Sequence, residues 1–494
     1  MSLASQVSNK SPPTKARRIR RRNAACTWDA AVRNPRSVTN FEVPAGCSWR
    51  VKLSAHIKGR LQCVLGARNL GTCECRYDGR MTDPSTRLIH HPYQPPTGFA
   101  APQPAVHKAS TIIFPNTAAM RQRDWKHKTG YTYGLHGTPT TFLLEERLCA
   151  LEGGQQCVLV PSGLAAITTT LLALLKAGDH VLLPDNVYGP AKTFAEHELA
   201  AFGISHSYFD PQNPDDLRNK ITPATRVACL EAPGSVTMEF PDLAAQIAIC
   251  RANQVISVLD NTWGAGIAFP PFAFCPASTC TSASASTAAT GVDVSVQALT
   301  KYPSGGGDVL MGSIITQDDA IHQLIKMTHM RLGMGVGAND VETILRSLPS
   351  IALRYRAHDQ AARALARHFQ KRPEVAQVLH PALEGSPGHL HWKALCVPPD
   401  GGPGSAAGLF SVVFQGDYSS ARVDRFCDSL RLFKIGYSWA GPVSLVVPYD
   451  VGSMRNTSVS PWPHSGVLVR FSVGLECIDD LLTDVDQALA ALNA

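Results

Sequence analysis

Apolar positions change their period along the chain, and these changes mark alternating helices and strands. From Thr141 to Leu151 apolar residues recur every three or four positions, as on one face of a helix, until Gly153-Gly154 ends the pattern. Short apolar runs at Cys157–Val160 and His180–Leu183 flank a helical stretch from Leu164 to Lys176. Strands that alternate with helices in this way predict an α/β fold with a mainly parallel sheet covered by helices.

The same alternation divides the chain into regions. It continues through Arg226–Glu231, Leu243–Gln254 and Val255–Leu259. A helical stretch over 341–369 then leads to two further strands, Leu409–Phe414 and Gly466–Val473, and a closing helix, Ile478–Leu492. We therefore predict a large domain over 138–348 and a smaller C-terminal α/β domain over 349–494. Proline-rich sequence over 81–137 predicts an extended arm.

Charge separates the first 80 residues from the rest. They hold 16 of the 46 Lys and Arg but only 4 of the 39 Asp and Glu, so the remaining chain is mildly acidic. The net charge of +7 therefore does not indicate a nucleic-acid-binding protein. We expect residues 1–80 to be a basic leader, either disordered or absent from a native protein that starts at Met81. A transit peptide or a polyanion-binding arm remains an alternative.

Three further features of composition limit the possible functions. The 14 cysteines lack metal-ligand spacing, so we predict no metal site, and unpaired cysteines favour a reducing compartment, with the cytoplasm as the default. No apolar run reaches the roughly 20 residues that a membrane span needs. A stretch of Ser, Thr and Ala over 275–290 predicts a surface insertion within the large domain.

Two residues at predicted strand ends suggest a cofactor. Asp260 ends the run Val255–Leu259, and Lys301 follows the apolar run that begins at Val292. The carboxyl ends of parallel strands are where open α/β sheets bind ligands. Pyridoxal phosphate (PLP) requires a lysine that bonds it covalently and an acid that pairs with its ring nitrogen. Lys301 and Asp260 are therefore candidates for a PLP site.

Several motifs in order resemble a known family. They are Tyr133-Gly-Leu-His-Gly-Thr138, Leu151-Glu-Gly-Gly154, Glu231-Ala-Pro-Gly-Ser-Val-Thr-Met-Glu239, Leu259-Asp-Asn-Thr-Trp263, Thr300-Lys-Tyr302, Tyr437-Ser-Trp439 and Leu468-Val-Arg470. Over 81–494 the chain resembles the Cys/Met-metabolism PLP enzymes of fold type I, the aspartate-aminotransferase-like fold. Glu-Ala-Pro-Gly-Ser and Tyr-Ser-Trp are similar to the β-lyase branch of that family.

The resemblance implies a role for each site residue. Lys301 would bond the cofactor and act as the catalytic base, with Asp260 on the ring nitrogen and Tyr188 stacked on the ring as a second catalytic residue. The remaining residues fall into two groups. The first would contact the cofactor phosphate, and its Tyr133 would reach the phosphate of the neighbouring subunit. The second would contact the substrate, and its arginine would bind the substrate carboxylate. The first group is Ser162, Gly163, Leu164, Thr300 and Tyr133, and the second is Arg470, Ser438 and Trp439.

Two departures from the family pattern affect these expectations. Leu135 stands where the family usually has an arginine that helps to hold the phosphate, so one cationic contact is missing. The loop after Lys301, usually Gly-His-Ser-Asp, is Gly305-Gly-Gly-Asp308, which raises a question about the rigidity of that loop.

The resemblance implies carbon–sulfur β-elimination on amino-acid thioethers such as L-cystathionine, by a homotetramer built from dimers with shared active sites. One alternative is a γ-eliminating or γ-replacing relative that uses the same Lys301, Asp260 and Arg470. Another is a non-catalytic binding or regulatory protein on the same scaffold. We expect a small-molecule substrate as the partner, with no nucleic acid and no membrane.

Overall fold

The computed structural model describes residues 84–91, 97–99, 101–273, 291–456 and 458–492. The expected leader over 1–80 and the insertion over 275–290 therefore lie outside the described residues. Within the described residues, no helix combines the length and the apolar content that crossing a membrane requires.

The described residues include fourteen α-helices. They are α1 Pro84–Ile89, α2 Thr117–Arg121, α3 Pro139–Glu152, α4 Gly163–Leu174, α5 Gly189–Phe194, α6 Pro214–Lys220, α7 Leu243–Ala252, α8 Asp319–Leu332, α9 Ala338–Ser347, α10 Ile351–Phe369, α11 His389–Cys396, α12 Ser420–Ser429, α13 Val451–Met454 and α14 Ile478–Leu492. A π-helical turn, Ala195–Leu199, extends α5, and short 3₁₀ turns lie at Gly134–His136 and Leu348–Ser350.

The bounds of α3 show how local sequence sets a helix. The hydroxyl of Thr138 accepts a hydrogen bond from the backbone N–H of Thr141, whose own hydroxyl accepts one from the Thr138 backbone. Pro139 occupies the first helical position, where its missing N–H costs nothing. Gly153 ends the helix in the left-handed conformation, at φ 83°.

A seven-stranded sheet forms the larger body and confirms the predicted α/β class. Its strands are β1 Gln156–Val160, β2 His180–Pro184, β3 Ser205–Phe209, β4 Thr225–Glu231, β5 Ile256–Asp260, β6 Val294–Ala298 and β7 Gly312–Thr316, in the spatial order β1-β7-β6-β5-β4-β2-β3. The pairs from β3 to β6 are all parallel, whereas β7 runs antiparallel to β1 and β6. The sheet is thus mainly parallel, as predicted.

A five-stranded sheet follows in the C-terminal part. Its strands are β8 Val375–Leu379, β9 Leu409–Phe414, β10 Lys434–Ile435, β11 Leu445–Tyr449 and β12 Leu468–Ser472, in the order β10-β11-β12-β9-β8. All neighbours except β10 and β11 pair antiparallel. Phe369 of α10 and Phe410 and Phe471 of the sheet form its aromatic core, with ring centroids 5.0 to 5.9 Å apart.

The larger sheet is buried on both faces. Leu182 and Leu230 belong to one apolar cluster, while their neighbours Val181 and Cys229 belong to another. Burial on both faces explains why these strands are continuous apolar runs rather than alternating ones.

The described chain leaves off at Ala273 and resumes at Gly291, and these two points lie close together. The backbone N–H of Val292 donates to the carbonyl of Pro271 at 3.0 Å. Gly291 lies so close to the Phe272 backbone that a Cβ on Gly291 would come within 2.3 Å of it. Both points precede β6, so they lie at the amino-end edge of the sheet, opposite to Asp260.

Candidate active site

A cavity of about 630 Å³ opens at the carboxyl ends of the parallel strands. Glu231 and Asp260 are the last residues of β4 and β5, and they are paired in register. Ser162 and Tyr188 follow β1 and β2, and Lys301 follows β6. The strands thus carry side chains from distant parts of the sequence to one edge, as expected for an open α/β sheet.

Lys301 reaches into this cavity from the turn after β6. Its Nζ donates a hydrogen bond to Ser438 Oγ at 3.0 Å and lies 5.2 Å from the centroid of the Trp439 ring. Burial, together with the charge of Arg470, lowers the pKa of Lys301 from 10.5 to about 8, and Asp260 opposes that change. The amine can therefore lose its proton near neutral pH.

The turn that carries Lys301 is held from both sides. Ser304 Oγ donates to the carbonyl of Thr300 at 3.0 Å, and Arg354 Nη1 donates to the carbonyl of Tyr302 at 2.7 Å. Ser347 Oγ donates to the carbonyl of Ser304 at 2.5 Å. Gly305 has a φ of +66°, and a Cβ there would collide with the guanidinium of Arg354. These bonds anchor the start of the unusual Gly305-Gly-Gly-Asp308 loop.

Asp260 presents one carboxylate oxygen to the cavity. Its Oδ1 accepts hydrogen bonds from the backbone N–H of Thr262 at 3.0 Å and from the Thr262 hydroxyl. That hydroxyl in turn accepts one from the Ala298 N–H at 2.9 Å, which ties β5 to β6. Among the described residues Oδ2 of Asp260 has no hydrogen-bond partner. Burial raises the pKa of Asp260, so a cationic partner would favour its ionised form.

Helix α4 begins at the cavity with two free backbone donors. Ser162 caps the helix, and its Oγ accepts a hydrogen bond from the Ala165 N–H at 3.0 Å. The N–H groups of Gly163 and Leu164 belong to the first turn, which has no intrahelical partners. A Cβ on Gly163 would come within 2.5 Å of Ala298 Cβ, so the close approach requires glycine. Such a helix terminus favours an anion.

Tyr188 and Tyr133 occupy different places. Tyr188 caps the short helix α5, lines the cavity and is 41% exposed. Tyr133 is 48% exposed and does not line this cavity. It lies beside the 3₁₀ turn Gly134–His136, with its ring centroid 5.8 Å from that of His136. Tyr133 is thus the single predicted site residue that the described chain does not bring to the cavity.

Glu231 is a site residue that our sequence analysis did not select. Its Oε2 accepts a hydrogen bond from the Tyr188 backbone N–H at 3.0 Å, and its Oε1 accepts one from Ser235 Oγ at 2.5 Å. Burial and the neighbouring Asp260 raise the pKa of Glu231 to about 8. Glu231 thus connects the turn at Tyr188 to the loop that contains Gly234 and Ser235. Its position at the end of a predicted strand, like that of Asp260, was the available signal.

Arg470 enters the cavity from the middle of β12 in the smaller sheet. One Nη2 proton goes to the carbonyl of Tyr437 at 2.7 Å, and the guanidinium lies 5.6 Å from the Tyr449 ring centroid. Within the described chain its Nε and Nη1 have no hydrogen-bond partner. Burial lowers the pKa of Arg470, but the guanidinium stays charged, so a carboxylate partner would stabilise it in this buried position.

The segment between β11 and β12 completes the cavity and was also missed. Met454 lines the cavity, and the adjacent Arg455 forms a buried ion pair with Glu239. Arg455 also donates to the hydroxyls of Ser460 at 2.7 Å and Thr237 at 3.0 Å. No local sequence pattern marks these contacts, because Arg455 and Glu239 lie 216 positions apart in sequence.

Comparisons with known proteins identify the family. A model described as Cys/Met metabolism PLP-dependent enzyme matches residues 85–490. The chain belongs to this family. A putative cystathionine beta-lyase of Rhizobium johnstonii is 36% identical over 83% of this chain and 96% of that protein. Cystathionine beta-lyase MetC of Escherichia coli is 32% identical over 82% and 98%, and L-methionine gamma-lyase of Pseudomonas putida is 32% identical over 82% and 97%.

A solved structure supports the same fold. The crystal structure of metB from Corynebacterium glutamicum superposes with a TM-score of 0.72 at 26% identity, covering 84% of this chain and all of that one. The predicted family resemblance and fold type I architecture are confirmed, and membership of the family makes this chain a PLP-dependent enzyme.

The residues at the cavity fit PLP. The open oxygen of Asp260 suits a protonated ring nitrogen, and the α4 N-terminus at Gly163 and Leu164 suits a phosphate. The Lys301 amine, with its lowered pKa, suits a covalent bond to the cofactor aldehyde. Leu135 does not line this cavity; its Cδ1 lies near Gly335, so its own chain does not set it beside these groups.

Ten of the eleven predicted site residues line the one cavity. They are Ser162, Gly163, Leu164, Tyr188, Asp260, Thr300, Lys301, Ser438, Trp439 and Arg470.

Proposed function

We propose that this enzyme is a carbon–sulfur β-lyase that converts L-cystathionine and water to homocysteine, pyruvate and ammonia. The observation that carries the proposal is the placement of Lys301 Nζ 3.0 Å from Ser438 Oγ, in a cavity that also contains Arg470. A base and a carboxylate-binding group thus face the same space. Both are needed to hold an amino acid and remove its Cα proton.

PLP, when bound, supplies an electron sink for the charge left at Cα. Lys301 Nζ is our candidate for the group that removes the Cα proton, because a pKa near 8 gives a useful basic fraction at neutral pH. Ser438 Oγ orients that amine between transfers. Tyr188 would lie against the cofactor ring, and the open oxygen of Asp260 would hold the proton on the ring nitrogen.

Arg470 is our candidate for the substrate carboxylate site. One Nη2 proton is held by Tyr437, and the other, together with the unpartnered Nε or Nη1 on its side of the guanidinium, can form two parallel hydrogen bonds to a carboxylate. This anchor fixes the substrate at one end, and Trp439 borders the space beside Lys301. The rest of the cavity is available for the thioether chain.

β-Elimination is favoured over γ-elimination by two observations. The Glu231-Ala-Pro-Gly-Ser235 and Tyr437-Ser-Trp439 motifs resemble the β-lyase branch, and both line the cavity through Glu231, Ser235, Tyr437, Ser438 and Trp439. Several relatives also bear the name cystathionine beta-lyase. The relative named for a γ-lyase reaction makes γ-elimination the second candidate.

A product assay with purified PLP-loaded enzyme tests the proposal. Incubation with L-cystathionine should give pyruvate and homocysteine in equal amounts, measured with lactate dehydrogenase and a thiol reagent. Lys301→Ala should lower turnover by several orders of magnitude, because it removes both the covalent anchor and the base. Cysteine and 2-oxobutyrate as the main products would assign the enzyme to γ-elimination instead.

The proposal includes an oligomer with shared sites. Tyr133 lies outside the cavity of its own chain and is 48% exposed, which suits a role at a neighbouring subunit's phosphate. Exposed apolar side chains on the same arm, among them Phe99 and Ile113, suit a subunit interface. We infer a homotetramer built from such dimers. A cytoplasmic location suits the unpaired cysteines of the described chain.

A further inference from the structure

A second, much smaller cavity lies beneath the 3₁₀ turn Gly134–His136. It has a volume of about 30 Å³ and is bounded by that turn, by α3 and by α8. A single water needs a cavity volume of roughly 10–15 Å³, so this cavity has room for about two waters or one small ion. It is separate from the PLP cavity, with which it shares no lining residue.

The cavity lining carries more positive than negative charge. Lys128 and Lys326 contribute two ammonium groups and Glu145 one carboxylate. The Glu145 carboxylate is already committed, because its Oε2 lies 2.5 Å from Lys128 Nζ. Lys128 also donates to the carbonyl of Cys157 at 3.1 Å. Asp124, the next carboxylate in the vicinity, is largely exposed and pairs with His127 at 2.7 Å.

Lys326 is therefore the unbalanced group. It is only 7% exposed, lines the cavity and has no hydrogen-bond or ion-pair partner among the residues that the structure describes. His322, one helical turn earlier in α8, is 3% exposed and has no such partner in the described chain either. Buried charges and buried polar groups are normally paired. Two donors without a protein partner therefore face one cavity and are available to a ligand.

The pKa shifts of these groups agree with a site for a negatively charged ligand. Burial lowers the pKa of Lys326, although Glu145 and Asp124 oppose that change, and burial together with Lys128 and Lys326 lowers the pKa of His322 to about 3. His329, which also lines the cavity, has its pKa lowered mainly by burial. The site is thus a compact region of positive potential, in which a negative ion would offset the unfavourable burial of Lys326.

We propose that this cavity binds one small monovalent anion of the halide class, with Lys326 and His322 as its donors. Water alone would leave the ammonium of Lys326 without a counter-charge in direct contact. The lining has two ammonium groups and one carboxylate, so it lacks one negative charge. A halide fits the space and supplies that charge.

An anion here would act on the turn that presents Tyr133. Gly134 and His136 form the wall of the cavity, and the His136 ring lies 5.4 Å from that of Trp125, another lining residue. Tying this turn to α8 through the ion would stabilise the conformation in which Tyr133 projects outward.

Thermal unfolding of the full-length PLP-loaded protein tests the site. Unfolding is followed in sodium gluconate, sodium chloride and sodium bromide at equal ionic strength and pH. Chloride and bromide should raise Tm by about 2 °C in a saturable manner relative to gluconate, since a ligand that binds only the folded state stabilises it. Lys326→Met should abolish that rise. Arg331→Met, an exposed position on the same helix, should retain it.

Crystals soaked in sodium bromide provide an independent readout. Anomalous density within about 4 Å of Lys326 Nζ, absent in Lys326→Met, is the expected result. A Tm that is the same in gluconate and halide, a cavity that holds water only, or a halide effect that persists in Lys326→Met would overturn the proposal. If Lys326→Met does not fold, the bromide density in the parent protein decides the question by itself.

Discussion

Glu152, the last residue of α3, offers a test of the buried electrostatics beneath the active site. It is 1% exposed, and its Oε1 accepts a hydrogen bond from Asn261 Nδ2 at 3.3 Å. Burial raises the pKa of Glu152 from 4.5 to about 8, against the opposing effects of the Ser295 hydroxyl and the Asn261 amide, and Asp260 adds to the rise. The folded protein therefore keeps Glu152 protonated at neutral pH.

The consequence is a dependence of stability on pH. The folded-state pKa of Glu152 lies above its unfolded value, so its stabilising contribution is fully present below pH 4.5 and is lost as pH rises through 8. At about 1.4 kcal/mol per pH unit, the rise from 4.5 to about 8 corresponds to a total of about 5 kcal/mol. Roughly 3 kcal/mol of this is already lost at pH 7.

Glu152→Gln removes this ionisation and keeps the shape of the side chain. We expect the free energy of unfolding of the variant, relative to the parent, to increase by about 3 kcal/mol between pH 4.5 and pH 7. Urea unfolding followed by tryptophan fluorescence at several pH values measures that difference. Glu198→Gln, at an exposed position, is the control and should show no such trend. A parent–variant difference that stays constant with pH would refute the reasoning.

Three further predictions address the active site and the buried ion pair beside it. Cofactor-free enzyme should capture PLP at a rate that rises about tenfold per pH unit below pH 8 and levels off above it, because only the neutral Lys301 amine reacts. Absorbance measures this rate, and a rate that does not change with pH would contradict the lowered pKa. Arg470→Lys should reduce kcat/KM about 10- to 100-fold, because an ammonium cannot make the paired contact of a guanidinium, and unchanged kcat/KM would place the substrate carboxylate elsewhere. Arg455→Met should destabilise the protein by about 3–5 kcal/mol, because it leaves Glu239 buried and unpaired; Glu239→Gln added to it should recover part of the loss in a urea double-mutant cycle.

The parallel part of the sheet was predictable because its strands are buried on both faces. β1, β2 and β4 are short apolar runs between turns, as are β5 and β6, whose carboxyl ends located Asp260 and Lys301. β3 was missed because it is an edge strand, Ser205–Phe209, with polar side chains and only its last residue fully buried. A polar edge strand has little apolar pattern from which it can be predicted.

The other wall of the cavity could not be predicted from local pattern. Ser438, Trp439 and Arg470 were selected through family motifs, whereas Met454 and Arg455 belong to no motif. Met454 is placed by long-range contacts: the carbonyl of Met454 accepts a hydrogen bond from Lys192 Nζ at 2.8 Å, and Arg455 pairs with Glu239. Only tertiary packing determines such contacts, because no local periodicity specifies partners more than 200 positions apart.

The meeting of Pro271 and Val292 has a consequence for protein engineering and for evolution. The chain between them can change in length or sequence while its two ends stay fixed, and each doubling of a loop costs only about 0.6 kcal/mol in closure entropy. These ends lie at the sheet edge opposite to Asp260, so a change of sequence between them would be far from the catalytic residues. We therefore expect that an epitope or a fluorescent label inserted between Ala273 and Gly291 will leave the active-site edge of the sheet undisturbed.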